Sequence, residues 1–200
     1  MNTVITIGRE FGSGGREFGR RLAEELGIEY YDKEIIMEIS KHTALSEDYV
    51  REIIESKPHN LYPITVGCSI AYMNDYAFKQ VQSVYTAQNS IIKELADRSD
   101  CVIVGRCADF ILRERNPYRI FVYADMKSRI ERCMKRAPKE EHYSEKQMQR
   151  RIKAIDRQRA KYYNFYTGRK WGDKSYYDLC VNTTATEIKE IVPLIAKMFK

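Results

Sequence analysis

The chain has 200 residues, of which 44% are hydrophobic and 31% are charged, and its formal net charge at pH 7 is +6. This length suits one domain with a substantial core, and no stretch approaches the roughly 18 consecutive apolar residues of a membrane-spanning helix. The start of the chain lacks a basic segment followed by an apolar one, the pattern of a signal peptide. The five cysteines form no C-x-x-C pair, and with only three histidines they argue against a disulfide framework or a structural zinc site. We therefore predict a cytoplasmic protein with no membrane attachment and no resident metal cluster.

The first predicted element is a strand that runs into a glycine-rich turn and then into a helix. An apolar β-branched run ends at Gly8, and four glycines fall between positions 8 and 15. Glycine backbones reach positive φ, so consecutive N–H groups can surround an anion at the positive end of the following helix. The apolar residues of that helix share one face: Phe18, Leu22, Ala23 and Leu26. The stretch predicts a phosphate cradle, and the alternative is a glycine-rich turn that binds nothing.

This loop departs from the standard P-loop pattern, G-x-x-x-x-G-K-[ST]. If Gly14 is the second glycine of the pattern, Gly15 stands in the place of the lysine and Arg16 in the place of the hydroxyl residue. Gly8 also lies one place too early to be the first glycine. The lysine that would reach the outer phosphates is therefore missing.

A second strand is predicted over Ile28–Tyr31, and the polar residue that ends it is Asp32. One interpretation is that Asp32 caps the next helix, which the isoleucine spacing predicts over Lys33–Lys41. The other is that Asp32 lies at the carboxyl edge of a parallel sheet, where α/β proteins bind ligands. Both interpretations stay open at this point.

The middle of the chain predicts a short helix from Ser46, a loop with fragments of helix over Lys57–Asp75, and a long helix over Tyr76–Arg98. The continuous apolar run Cys101–Val104 is typical of a central parallel strand. This strand leads into Gly105, and the polar residues Arg106 and Asp109 that follow are expected at the same ligand edge. A fourth strand is predicted over Arg119–Tyr123.

Basic residues concentrate between Lys127 and Lys170, where fifteen Lys and Arg residues face five Asp and Glu residues. A helix over Met126–Arg136 carries three arginines on one face, and a Ser144–Gln147 capping box opens a second helix that runs to about Asn164. Such a cluster suits a polyanion, either the phosphates of a nucleotide or a nucleic-acid backbone, and an ordinary solvated charged helix is the simpler alternative.

The last part of the chain predicts an aromatic cluster, a fifth strand over Tyr177–Val181 and a helix over Thr186–Phe199 that contains Pro193. The aromatic residues around Gly168 either stack bases or, as is commoner, pack a loop onto the body. Five short apolar strands that alternate with helices predict an α/β fold, with a parallel five-stranded sheet and helices on both faces. In this fold the basic helix pair can close as a lid over the ligand edge, an arrangement suited to phosphoryl transfer.

Several of these motifs together resemble the cytidylate kinase-like proteins, within the P-loop nucleoside monophosphate kinases. The matching stretches, in order along nearly the whole chain, are Gly12–Glu17, Tyr31–Glu34, Val104–Arg106, Asp156–Ala160 and Tyr177–Thr183. The resemblance implies a P-loop kinase architecture over residues 1–200. It also implies a monophosphate-binding helical insert at about residues 33–75 and a basic lid at about residues 129–159.

The resemblance also implies roles for individual residues. For the donor nucleotide it implies Gly12, Ser13, Gly14, Gly15, Arg16, Glu17, Arg129 and Arg132. For catalysis it implies Arg16, Asp32, Arg157 and Arg159. For the acceptor, it and the predicted ligand edge indicate Asp32, Lys33, Arg106 and Asp109. No protein metal site is expected, and Mg²⁺ is expected to arrive with ATP.

The chain departs from the family pattern at the sites that define the reaction. Gly15 replaces the lysine, Glu17 replaces a threonine, and Lys33 stands where the serine of the acceptor site belongs. We predict an ATP- and Mg²⁺-dependent small-molecule kinase whose acceptor is a nucleoside monophosphate or another small molecule. The alternatives are a catalytically inactive nucleotide-binding regulator and a nucleic-acid-binding protein, the latter being the less favoured.

Overall fold

The computed structural model describes residues 2–55, 75–137 and 143–200, and a parallel sheet organises them. The strands of this sheet are β1 (Val4–Arg9), β2 (Glu29–Tyr31), β3 (Cys101–Val104), β4 (Tyr118–Tyr123) and β5 (Leu179–Asn182). Their order across the sheet is β2-β3-β1-β4-β5, and every neighbouring pair is parallel. The predicted five-stranded parallel sheet is therefore confirmed.

Helices cover both faces of the sheet. They are α1 (Gly15–Leu26), α2 (Glu34–Thr43), α3 (Glu47–Glu55), α4 (Asp75–Arg98), α5 (Ala108–Ile111), α6 (Met126–Arg136), α7 (Glu145–Thr167) and α8 (Ile188–Ala196). One apolar core lies between the sheet and helices α2, α3, α4 and α7, and a second lies between the sheet and helices α1 and α8. Because β3 is buried from both sides, its sequence is a continuous apolar run rather than an alternating one, and the first four residues of β1 are buried in the same way.

The register of the central strands brings their carboxyl ends together. Ile7 of β1 lies beside Val104 of β3, and Gly8 lies beside Phe121 of β4. The loops that follow β1 and β3 therefore leave the sheet next to each other. This edge is the one on which sequence reasoning placed the ligand.

The ends of several elements differ from the predicted ones. Helix α7 continues to Thr167, because the first residue that adopts a left-handed backbone is Gly168, with φ of 67°. Strand β5 begins at Leu179, and helix α8 spans Ile188–Ala196 with Pro193 inside it. The Ser144–Gln147 capping box at the start of α7 is present as predicted.

One of the two interpretations of Asp32 is wrong: this residue does not cap helix α2. Lys33 occupies the N-cap position, without a side-chain capping bond, and the Asp32 carboxylate instead faces arginines at the sheet edge. The aromatic cluster near Gly168 packs onto the body, since Tyr162 and Tyr163 are buried and Trp171 contacts the same core. This confirms the commoner interpretation of that cluster.

Parts of two predicted regions lie outside the described residues. These parts are residues 56–74, which include most of the loop predicted over Lys57–Asp75, and residues 138–142, which fall within the predicted lid. The proposed insert and lid boundaries therefore stay predictions. Among the described residues, no helix is both long enough and apolar enough to cross a membrane.

Candidate phosphate-binding site

The glycine loop after β1 has the geometry of an anion cradle. Gly12 and Gly14 adopt left-handed backbones, with φ of 79° and 81°, and helix α1 begins immediately afterwards at Gly15. The first turn of a helix leaves N–H groups without intrahelical partners, and no side chain caps this one. These amides, at the positive end of the helix, are therefore available to an anionic ligand.

Neighbouring elements hold the loop in place from behind. Ser13 is fully buried, and its carbonyl accepts hydrogen bonds from the Thr183 hydroxyl at 2.7 Å and from Arg132 Nη1 at 3.4 Å. The Arg132 guanidinium also donates to the Thr183 carbonyl. Thr183 follows β5, so the last strand positions the first loop, a role that sequence reasoning did not assign.

A cavity of about 520 Å³ opens in front of the cradle. Its lining includes eight arginines and one lysine: Arg9, Arg16, Arg51, Arg106, Arg132, Arg136, Arg151, Arg159 and Lys33. Glu10 is the one carboxylate residue among the described lining residues. The surface therefore suits a ligand that carries several negative charges.

Arg9 is a cavity residue that sequence reasoning missed. It ends strand β1, and only 13% of its side chain is exposed. Burial and the nearby guanidinium of Arg159 hold its pKa well below the ordinary value, with Arg106 and Arg16 acting in the same direction and Asp32 opposing them. The described cavity lining thus carries more positive charge than Glu10 balances.

Asp32 lies within this arginine cluster. Its Oδ2 is 2.5 Å from Arg16 Nε, and its Oδ1 is 3.8 Å from Arg9 Nη2. The Oδ1 atom is buried and has no hydrogen-bond partner among the described residues. The structure therefore brings the predicted residues Arg16 and Asp32 into direct contact at the mouth of the cradle.

Arg129 lies beneath the loop rather than in the cavity lining. It is 4% exposed, pairs with Glu10 at 3.1 Å and with Asp156, and donates to the Phe11 carbonyl at 2.7 Å. These contacts tie helices α6 and α7 to the loop. The contact of Arg129 with the nucleotide stays a prediction.

The two predicted arginines of helix α7 differ in their positions. Arg159 lines the cavity, and its Nη1 donates to the Arg9 carbonyl at 3.2 Å. Arg157 is exposed and is not among the residues that line this cavity. Its predicted contact with the transferring phosphoryl group stays a prediction.

Glu17, which stands where the family has a threonine, is held by two arginines. Its carboxylate pairs with Arg21 at 3.0 Å and with Arg136 of helix α6. Partial burial opposes ionisation, but the hydrogen bonds from Arg21 and Arg136 outweigh it and lower the pKa of Glu17. This residue therefore links helix α1 to helix α6 across the cavity.

The loop after β3 completes the site. Arg106 and Cys107 both adopt left-handed backbones, with φ of 58° and 55°, which is unusual for residues other than glycine. The fully buried Gln88 donates to the Arg106 carbonyl at 3.0 Å and so supports this turn. A strained turn held by a buried amide is consistent with a functional position for Arg106, and sequence reasoning did not identify Gln88.

Lys33 and Asp109, both predicted for the acceptor, lie on different sides of the arginines. Lys33 lines the main cavity. Asp109 lines a smaller cavity of about 60 Å³ that shares Arg9, Arg106 and Arg159 with the main one, and it accepts a hydrogen bond from the Tyr163 hydroxyl at 2.5 Å. Burial raises the pKa of Asp109.

The described residues contain no group of three or more His, Cys, Asp or Glu side chains that could hold a metal ion. Mg²⁺ in phosphate-binding sites commonly needs only one or two carboxylates, with the remaining ligands coming from water and substrate phosphates. The buried Asp32 Oδ1, which has no hydrogen-bond partner in the described part of the chain, fits this smaller requirement.

Solved structures share this fold. An uncharacterized protein from Eubacterium ventriosum is 28% identical, with 98% of each chain covered and a TM-score of 0.70. Shikimate kinase from Bacteroides thetaiotaomicron is 13% identical, with 98% of each chain covered and a TM-score of 0.56. Shikimate kinase from Acinetobacter baumannii, solved with shikimate, is 15% identical over 100% of this chain and 93% of that one, with a TM-score of 0.52.

Sequence comparison gives a more specific result. The model of the cytidylate kinase-like family matches residues 4–185, which is most of the chain and includes both the cradle and the two basic helices. A search of curated proteins gives no match.

Proposed function

The chain belongs to the cytidylate kinase-like family, and from this premise we propose that it transfers the γ-phosphoryl group of ATP to a small acceptor in the arginine-lined cavity. The proposal rests on one observation: the glycine loop and eight arginines line the same cavity, and the described lining contains one carboxylate residue. Phosphoryl transfer needs phosphates held in line and their developing charge stabilised, rather than covalent chemistry from the protein.

In the proposed reaction, the bond between the γ-phosphorus and the β,γ-bridging oxygen breaks, and its electron pair stays on ADP. A new phosphorus–oxygen bond forms to the acceptor. A phosphate oxygen of a nucleoside monophosphate attacks as an anion and loses no proton, whereas a hydroxyl acceptor releases its proton to water. The α1 amides and Arg132 hold the donor phosphates, while Arg159 and Arg106 face the transferred group from the other side of the cavity.

Mg²⁺ bound with ATP would neutralise part of the phosphate charge, and Asp32 is the residue we propose to hold it. Arg16 fixes the Asp32 carboxylate through its contact at 2.5 Å. Arg136 and Glu17 connect helix α6 to helix α1 across the opening, so the lid helices restrict access of water to the phosphates.

A second function, nucleotide binding without catalysis, is favoured by one observation. Gly15 occupies the position of the P-loop lysine, the side chain that reaches the outer phosphates in the standard motif. A regulatory protein of this kind would bind ATP or ADP in the same cradle and release no ADP from ATP.

The test is ADP release from MgATP with a panel of nucleoside monophosphates and small phosphorylatable metabolites, alongside calorimetric titration of ATP. We expect one panel member to support turnover, and Arg159→Met to lower kcat at least about 10²-fold with a smaller change in the Kd for ATP. Arg98→Met is the matched control, because Arg98 is exposed at the end of α4, next to the opposite edge of the sheet. Tight ATP binding without turnover across the panel would support the regulatory function instead.

A further inference from the structure

Two glycines that sequence reasoning assigned to ligand loops lie against the side chain of Arg9. A Cβ added at Gly15 would lie 2.4 Å from Arg9 Cβ, and a Cβ added at Gly105 would lie 1.7 Å from Arg9 Nη1. Real Cβ atoms essentially never approach other heavy atoms so closely. Gly15 and Gly105 therefore leave the space through which the Arg9 side chain passes from strand β1 to the cavity wall.

Gly15 links the packing of Arg9 to the missing P-loop lysine. Gly15 stands where the P-loop lysine belongs, and a lysine there would need the space that Arg9 Cβ occupies. The absence of a lysine at position 15 is thus what makes room for the Arg9 side chain. The loop exchanges a cation that starts at the first residue of helix α1 for a cation that starts at the last residue of strand β1.

The Arg9 guanidinium has little compensation from the protein. Within the described part of the chain its one ion pair is with Asp32, at 3.8 Å, and the Asp32 carboxylate lies closer to Arg16, at 2.5 Å. Arg159, Arg106 and Arg16 all add positive charge around it. A largely buried cation among like charges is stabilised when an anion enters the cavity.

Three other cations that could replace the lysine, Arg16, Lys33 and Arg157, are less well placed. The Arg16 side chain is 55% exposed and is engaged by Asp32. Lys33 is exposed, and Arg157 is exposed outside the cavity lining. Arg9 ends strand β1 directly before the phosphate loop, and its side chain is enclosed by Gly15 and Gly105, so its charge is positioned before a ligand arrives.

We propose that Arg9 is the catalytic cation that replaces the P-loop lysine and contacts the terminal phosphoryl group of the bound nucleoside triphosphate. This inference rests on the proposed function. When the bond from the γ-phosphorus to the bridging oxygen of ADP breaks and the bond to the acceptor oxygen forms, Arg9 stabilises the charge on the non-bridging oxygens. It acts by hydrogen bonding and charge, and it exchanges no proton.

The test compares the binding of MgADP with that of a non-hydrolysable MgATP analogue, the β,γ-imido triphosphate, by calorimetry. We expect the wild-type protein to bind the triphosphate at least about tenfold more tightly, and Arg9→Met to remove this preference while its Kd for MgADP changes less than about threefold. Arg98→Met is the control and should keep the preference. Arg9→Gln, which is shorter but keeps a polar side chain without charge, provides a second variant if the methionine variant does not fold.

The outcomes separate the inference from the proposed function. If Arg9→Met and Arg9→Gln retain the wild-type preference, or if the wild-type protein shows none, the role of Arg9 is wrong while nucleotide binding stands. If the wild-type protein binds neither nucleotide, the proposed function fails and the inference fails with it. Loss of the preference in both variants, with MgADP binding preserved, supports Arg9 as the cation that contacts the terminal phosphate.

Discussion

At the scale of single residues, Arg129 is the charge that connects helices α6 and α7 to the loop. Its guanidinium lies between Glu10 and Asp156 and is 4% exposed. Removing one partner of a buried ion pair leaves the other charges buried without compensation. We expect Arg129→Met to lower the free energy of unfolding by about 3 kcal/mol, measured by urea denaturation.

The matched control for Arg129 is an arginine in a more exposed pair. Arg115 contacts Asp97, whose side chain is 64% exposed, and exposed pairs contribute less than about 1 kcal/mol. Arg115→Met should therefore cost little. Equal losses of unfolding free energy in the two variants would show that the Arg129 contacts stabilise the fold no more than an exposed ion pair does.

Asp109 predicts a pH dependence of stability. Burial raises its pKa in the folded protein, so the folded state binds this proton more tightly than the unfolded chain does. The stabilisation is fully present below the unfolded pKa of about 4 and is lost as the pH rises through the folded pKa. Asp109→Asn should therefore gain stability relative to the wild-type protein as the pH rises from 4 to 7. A stability difference independent of pH in this range would contradict this role of burial.

The sequence predicts some residue positions and misses others, for physical reasons. Asp32 and Arg106 follow predicted strands, so their place at the ligand edge follows from the properties of parallel sheets. Arg9 also ends a strand, but its path to the cavity depends on the absence of side chains at Gly15 and Gly105. Gly15 lies across the loop from Arg9, and Gly105 is distant in sequence, so no local pattern reveals this packing. Gln88 supports Arg106 from the middle of an amphipathic helix, and no local pattern distinguishes it there.

At the scale of elements, the start of helix α1 predicts a sensitive substitution. Gly15 has no positive φ, so an alanine there costs no backbone strain, but its Cβ would lie 2.4 Å from Arg9 Cβ. We expect Gly15→Ala to lower the free energy of unfolding by about 1 to 3 kcal/mol and to weaken triphosphate binding along with it.

The control for Gly15→Ala is Gly27→Ala, at the C-cap of the same helix, where no atom lies within 4 Å of the added Cβ. Gly27 has φ of 67°, so this control changes stability through backbone strain alone. Nucleotide affinity should stay at the wild-type value in Gly27→Ala. If Gly15→Ala binds the triphosphate as well as the control does, the packing of Arg9 against Gly15 has no functional consequence.

Helix α6 contributes a chemical probe of the cradle. Cys133 lines the cavity, and its Sγ would lie 2.9 Å from a Cβ at Gly12. Burial raises the pKa of this thiol, so its alkylation should be slow but measurable. We expect MgATP to slow alkylation of Cys133 several-fold, measured peptide by peptide with mass spectrometry, while the exposed Cys180 keeps its rate. Equal rates at Cys133 with and without MgATP would place the nucleotide elsewhere.

Element types were easier to predict than element ends. Apolar runs and helical periodicity identify the described strands and most helices, because burial imposes these patterns directly. The end of α7 depends instead on which residue takes a left-handed backbone, and the start of β5 depends on its pairing with β4. The sequence around Asp32 also could not show whether this residue caps α2, because its ion-pair partners, Arg9 and Arg16, are both distant from it in sequence.

At the scale of the whole molecule, much of the excess positive charge lies around one cavity. The basic helices place several of their arginines in the same concave cavity as the arginines of β1 and of the loop after β3. A cavity of about 520 Å³ suits the phosphates of a small ligand better than it suits a continuous nucleic-acid backbone. The alternation of strands and helices was sufficient to predict this architecture, whereas the convergence of the arginines needed the sheet order β2-β3-β1-β4-β5.

The central claim is phosphoryl transfer from ATP to a small acceptor in this cavity. The most direct measurement is ³¹P nuclear magnetic resonance of MgATP incubated with the protein and each member of the acceptor panel. The account predicts that, with the correct acceptor, the γ-phosphate signal is replaced by ADP signals and by a new phosphorylated product in equal amount. Unchanged ATP across the panel, or conversion to ADP and inorganic phosphate alone, would contradict it.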